Sequence, residues 1–246
     1  MTVDRPRAAT TDRPAAAVPR QRWRLFLRIP AAATPGELPG GTRGWADALE
    51  RAGLPVVPAS GGGRARAIAA AQLPLGIAGE REVVDVVLSE RLPVFDVRAR
   101  LAGALPPGVT LVDLCDVWLG APAAPAALRA ADYRVDAAGP PAAAIETAVG
   151  ILLAAPTLPT ERRRENRVST YDLRPLILSL SVATWDDCPP GGPVGTLRVR
   201  LLHSAGAVGR PEAVLGALAG VGAPVVARAI VRERLILDGE PDAGPG

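Results

Sequence analysis

Residues Arg22–Ile29 read RWRLFLRI. Trp23, Leu25, Leu27 and Ile29 fall on one face, and Arg22, Arg24, Phe26 and Arg28 on the other, which is the period-two pattern of a half-buried strand. The outer face, arginine with one aromatic, has two readings: a solvated strand face, or part of a nucleic-acid-binding sheet. Beyond a Pro/Gly-rich loop at 31–44, Trp45–Ala52 predicts a short helix that ends at Gly53 with Leu54-Pro55 behind it. Val56–Ala71 predicts a strand, a loop and a strand. Its Gly61-Gly62-Gly63 is read as a flexible loop, since no GxxxxGK[ST] pattern accompanies it. EVVDVVL at 82–88 is an apolar strand, and Phe95–Leu105 is a helix closed by Pro106-Pro107-Gly108. Val109–Trp118 is a strand offering Leu111, Val112, Leu114, Val117 and Trp118 to the core. The order β-α-β-β-α-β is that of two split βαβ units sharing one four-stranded antiparallel sheet, the ferredoxin-like arrangement.

The pattern recurs after Gly120–Ala131, a linker or short helix. Tyr133–Asp136 is a strand, and Pro141–Ala155 a helix with Ile145, Val149 and Leu152 on one stripe. Strands follow at Arg167–Tyr171, Leu176–Val182 and Thr196–Leu202, then a Pro-started helix at Pro211–Leu218 and a last strand at Val225–Leu237. The expected class is therefore α+β, with two tandem ferredoxin-like (β-α-β-β-α-β) modules with antiparallel sheets at 21–120 and 121–238. Tails at 1–20 and 239–246 have the composition of disordered segments. The duplication rests on element order, because no residue-level repeat links the halves.

Composition narrows the chemistry. Of 246 residues 46 are Ala and none is Lys, so all 28 cations are Arg; eight aromatics leave an aliphatic core. One His, His203, and two Cys, Cys115 and Cys188, cannot assemble a zinc site or an iron–sulfur cluster within one chain. No metal or cofactor is expected. Cys115, in an apolar strand, is expected in the core. Cys188 is a loop thiol whose neighbours Asp186 and Asp187 disfavour the thiolate. Two lone cysteines read as reduced thiols and point to a cytoplasmic protein. No apolar run approaches the roughly 18 residues of a membrane span. His203 closes a strand and is expected at a surface or turn; it is also the only base of its kind for a Ser-His-Asp arrangement.

Charge is uneven. Residues 80–116 carry four Arg against seven acids, whereas 198–234 carry six Arg against two Glu, and 156–174 five Arg against three acids. Arginine forks suit phosphate contacts; the other reading is a coding bias that replaces Lys by Arg throughout.

Several stretches resemble one family, the radical-SAM-linked (radical SAM-associated) proteins, a bacterial domain of unknown function. They are ALERAGLP at 48–55, QLPLGI at 72–77, LPPGV at 105–109, ADYRV at 131–135, YDLRPLI at 171–177 and GRPEAVL at 209–215, in the family's order. The resemblance implies a radical SAM partner protein encoded nearby. This chain departs from the family at its N-terminal Ser-His-Leu-Asp motif, replaced by PGELPGGTRG at 35–44. It departs again at Ala59–Ala67, where the Ser-Gln-Gly-Phe-Asn-Pro stretch has become SGGGRAR with its flanks. Activity that depends on that His is not expected here.

Within YDLRPLI, Asp172 and Arg174 share a face if the segment is a strand, and Pro175 would hold Arg174 extended. Two roles follow for this stretch: an Asp172–Arg174 brace, with Asp172 structural, or an Arg/Tyr anion contact. The candidate RNA or anion contacts are Arg162, Arg163, Arg164, Arg167, Tyr171, Arg174 and Arg210, the last opening a helix. The leading expectation is a non-catalytic accessory protein that binds or presents RNA beside a radical SAM partner. The alternatives are a degenerate RAMP-like RNA-processing enzyme or a transferase, and a protein–protein adaptor without nucleic-acid contact.

Overall fold

The computed structural model describes residues 17–32, 34, 42–58, 67–164, 167–204 and 206–239. The tail residues 1–16 and 240–246, most of the 35–44 loop and the Gly61–Gly63 triplet lie outside them.

The first half runs β1 (Gln21–Ile29), α1 (Thr42–Arg51), β2 (Ala67–Ala69), β3 (Ile77–Leu88), α2 (Val94–Ala102) and β4 (Thr110–Val117). Its strands lie in the order β4-β1-β3-β2, every pair antiparallel. The second half runs α3 (Ala124–Ala127), β5 (Leu128–Ala138), α4 (Ala142–Ala154), β6 (Pro159–Arg164), β7 (Arg167–Asp172), a 3-10 turn at Arg174–Leu176, β8 (Ile177–Asp186), β9 (Val194–Leu202), α5 (Pro211–Gly220) and β10 (Val226–Leu237). Here the order is β10-β5-β9-β8, again antiparallel. Strands β6 and β7 pair only with each other, as a separate hairpin.

The two halves share a single mostly antiparallel eight-stranded sheet, where the sequence leads one to expect two sheets. The junction is a parallel pairing of Ile77–Gly79 on β3 with Ile230–Arg232 on β10. It arises because β3 is twelve residues long while β2, on the edge away from β1, covers only its Val84–Val86 stretch. The uncovered start of β3 would otherwise present unpaired main-chain groups. One hydrophobic cluster accordingly runs through both halves, from Trp23, Leu25 and Leu27 to Val135, Ile145, Leu197 and Leu218. No described helix is long and apolar enough to cross a membrane.

The inner face of β1 is as its alternation requires: Trp23, Leu25, Leu27 and Ile29 are all buried. Of the outer face Arg28 is exposed, while Arg22, Arg24 and Phe26 are covered, the first two because the chain after β4 is tied across them. Arg22 donates to the Ala121 carbonyl at 2.7 Å and to that of Leu119 at 3.0 Å. Arg24 forks onto Asp85 at 2.8 and 3.0 Å, and the same carboxylate accepts the Ala124 amide at 2.8 Å. Phe26 is buried with the Arg81 guanidinium 4.0 Å from its ring centre, a cation–π contact.

Strand β4 corrects two expectations. Cys115 is exposed, not in the core, and Val112 and Trp118 are exposed as well. This strand ends the sheet, and its register against β1 shifts between Phe26 and Leu27, leaving Leu114 as its buried residue.

Candidate functional site

The parallel junction brings together side chains far apart in sequence. Arg232 on β10 stands opposite Gly79 of β3 on one side and Tyr133 of β5 on the other. Its side chain is fully buried, and it forks onto Glu82 with Nε–Oε1 at 2.7 Å and Nη2–Oε2 at 2.5 Å. Its Nη1 donates to the Gln72 carbonyl at 3.3 Å. Burial works against the Arg232 charge, but the hydrogen bonds and charge of Glu82, helped by Tyr133, outweigh it and hold the pKa above its ordinary value. Burial pushes the Tyr133 hydroxyl pKa up, with the nearby Arg232 opposing part of the rise.

Gly79 makes room for this pair. A Cβ built there would lie 2.5 Å from Glu82 Cγ and 2.6 Å from its Oε1. Glu82 cannot swing aside without leaving Arg232, so Gly79→Ala is expected to cost about 1–3 kcal/mol as overpacking. Urea unfolding measures this, and a cost below about 0.5 kcal/mol would show that Glu82 has slack.

Beside the pair lies a cleft of about 180 Å³, lined by Gln72, Tyr133, His203, Arg210, Glu212 and Arg232 among others. His203 follows β9, its amide held by the Arg129 carbonyl at 2.8 Å, and its Nδ1 is buried with no hydrogen-bond partner. It is therefore a wall of a cleft, not a plain turn residue. Arg210 is the N-cap of α5, followed by Pro211 and Glu212. Gly209 lets the chain reach that start: a Cβ there would sit 2.9 Å from Leu201 Cβ and 3.2 Å from the Leu176 carbonyl.

Burial first, and then the charges of Arg232 and Arg210, lower the His203 pKa from 6.5 to about 4. The unfolded chain thus takes up a proton near pH 6.5 that the folded chain refuses until about pH 4. This contribution to stability is fully present above pH 6.5 and is lost as pH falls toward 4. The melting temperature of the wild type should fall more steeply across this window than that of His203→Asn. Equal slopes would contradict the cleft's electrostatics.

The expected contact residues fall elsewhere or into other roles. Asp172 Oδ1 accepts the amides of Leu158 at 2.7 Å and Arg174 at 3.0 Å, closing the base of the β6–β7 hairpin. Arg174 is not extended: strand β7 ends at Asp172, and the capped Arg174 amide leads into the 3-10 turn. Its guanidinium does not pair with Asp172. It donates from Nε and Nη2 to the Leu153 carbonyl at 3.1 and 2.9 Å and from Nη1 to that of Ile177 at 3.1 Å. Tyr171 is half-buried against the core. Arg162 lies on β6, half-buried, and Arg210 on the cleft; the side chains of Arg163, Arg164 and Arg167 lie outside those described.

Other C-terminal arginines are engaged with carboxylates. Asp132 accepts Arg200 at 2.7 and 3.1 Å and Arg234 at 2.7 Å, while Glu233 pairs with both Arg134 and Arg198. Strands β5, β9 and β10 therefore carry an ion-pair lattice, in which seven Arg outnumber the acids Asp132, Asp136 and Glu233 of the same strands. Sequence reading missed Glu82, Tyr133 and Arg232. A signal for the first was present, since Glu82 is in phase with the buried Val84, Val86 and Leu88.

No curated protein matches the chain. Among solved structures it is similar to one described as a Cbf5-Nop10-Gar1 complex, at 10% identity and a TM-score of 0.46, covering 87% of this chain and 48% of that one. The chain thus spans about half the length of that neighbour. It is also similar to an unknown protein from Galdieria sulphuraria, at 16% identity and a TM-score of 0.24, covering 85% of this chain and 98% of the other. Likeness at this level bears on neither chemistry nor partners. A family model matches residues 42–209, more than half of the sequence, and the chain belongs to that family, described as uncharacterized protein conserved in bacteria (DUF2344).

Proposed function

We propose that this chain is a non-catalytic accessory protein, made of two ferredoxin-like modules at 21–120 and 121–238, that binds RNA in the cytoplasm beside a radical SAM partner. The repeated order β4-β1-β3-β2 and β10-β5-β9-β8 supports the module reading. The partner rests on the resemblance of YDLRPLI, GRPEAVL and the other stretches.

The observation that carries the RNA reading is the β6–β7 hairpin. It is a two-stranded sheet apart from the main one, with Arg162, Arg163 and Arg164 consecutive on β6 and Arg167 starting β7. Residues 160–167 hold four Arg against Glu161 and Glu165, 4 − 2 = +2. The paired backbone places these Arg positions close together along one hairpin, a frame on which phosphates of an extended single strand can be met. On β5, β9 and β10, by contrast, Arg134, Arg198, Arg200 and Arg234 are each paired with a carboxylate.

Filter binding of purified protein with total RNA and tRNA at about 50 and 200 mM salt tests this. Four phosphate contacts on a single strand give a salt slope near −2.8, so affinity should fall roughly fiftyfold across that range. Absence of retention at the lower salt would overturn the proposal.

A further inference from the structure

The cleft at the β3–β10 junction is not used by the hairpin reading, and its chemistry specifies a different ligand. Its volume of about 180 Å³ is well above the roughly 10–15 Å³ that holds a single water, so it has room for more than one ordered solvent molecule. Its walls divide by chemistry. Arg210 supplies a guanidinium fork at the exposed mouth, where the first turn of α5 adds the positive end of a helix. Deeper in, Tyr133 and the Arg232–Glu82 pair form a rigid buried floor, with the Arg232 donors taken up by Glu82, the Gln72 carbonyl and Tyr133. The Arg210 charge at the mouth adds to the positive field that Arg232, although paired with Glu82, already exerts on His203. The remaining lining groups, Glu212 and His203, add a carboxylate and an imidazole.

We propose that this cleft binds a phosphate monoester of a hydroxylated alcohol, with the phosphate on Arg210 and the alcohol portion reaching Glu212 and His203. A bare oxyanion would use the donors and leave the acceptors idle. A neutral sugar or nucleoside would do the reverse. The cleft offers both within one space. Two sources share this chemistry, a free mononucleotide and the 5′-phosphorylated end of an RNA. The site stands independently of the hairpin, which contributes no residue to it.

His203 is the only histidine of the sequence, so in tag-free protein its imidazole signals report the cleft without assignment ambiguity. Proton NMR titrations with uridine 5′-monophosphate, uridine and inorganic phosphate should show saturable His203 shifts with the monophosphate. Phosphate alone should bind more weakly, and uridine should produce none. A short RNA compared with and without its 5′-phosphate distinguishes the sources: shifts dependent on that phosphate point to RNA ends, and shifts with the mononucleotide alone point to the free ligand. Arg210→Ala should weaken the monophosphate at least about tenfold, as loss of a charge-assisted fork does, with an unchanged melting temperature. Replacing Arg162, Arg163 and Arg164 together by Ala should leave this titration unaltered, whatever it does to RNA retention. The proposal is overturned by absence of His203 shifts with every phosphate probe at about 10 mM, which would place any affinity weaker than millimolar. It is equally overturned by uridine binding as well as its monophosphate, or by Arg210→Ala binding like the wild type.

Discussion

Glu82→Ala is expected to destabilise the protein by about 3–5 kcal/mol, the range seen when one member of a buried ion pair is stranded. The Arg232 guanidinium is fully buried, and Glu82 accepts two of its donors. Without Glu82 the arginine keeps only Tyr133 and the Gln72 carbonyl, too few for a charge shielded from water. The pair also sits where β3 meets β10, so its loss strains the joint between the halves. A companion variant, Glu82→Met with Arg232→Met, should recover most of the stability, since an apolar pair of similar volume removes both desolvation penalties. Urea unfolding of the wild type and both variants measures this. A cost below about 1 kcal/mol for Glu82→Ala would mean that Arg232 is held by other groups.

The second large effect concerns Asp85, which is fully buried under the chain that follows β4. Its carboxylate accepts both the Arg24 fork and the Ala124 amide. Asp85→Asn keeps the shape but loses the charge and turns an NH₂ toward a donor, at an expected cost of about 3 kcal/mol. Hydrogen exchange should locate the damage. The Ala124 amide, protected in the wild type, should exchange faster in the variant by a larger factor than amides of β9 in the other half. Uniform loss of protection would indicate instead that the whole sheet opens as one unit.

How far the sequence could be read depended on whether the physics was local. The alternation of RWRLFLRI identified its buried face without knowledge of any partner, because period-two burial is a property of one strand. Proline-started α5 was equally legible, since Pro211 and the residues after it carry their own signal. The union of the halves into one sheet was not, because three residue pairs on strands about 150 positions apart make that joint. Arg232 illustrates the same limit. In VARAIVRERLIL it looks like Arg228 and Arg234, yet Arg232 is the one that is fully buried, on Glu82 of another strand. Cys115 was misplaced for a related reason: an apolar stretch was read as core, whereas β4 ends the sheet and exposes one side. Arg174 was misplaced by treating YDLRPLI as a continuous strand, when Asp172 turns its carboxylate onto the Arg174 amide and starts a turn.

The hairpin as the RNA contact is tested most directly by the salt slope of binding. Observed affinity for tRNA is measured from about 50 to 200 mM salt for the wild type and for the variant with Arg162, Arg163 and Arg164 replaced by Ala. Each single-strand phosphate contact contributes about −0.7 to the slope, so the variant should be shallower by roughly 2 and weaker at low salt. Its melting temperature should stay at the wild-type value, because the hairpin pairs with no strand of the main sheet. A variant that keeps the wild-type slope and affinity would contradict the assignment and move RNA recognition off the hairpin.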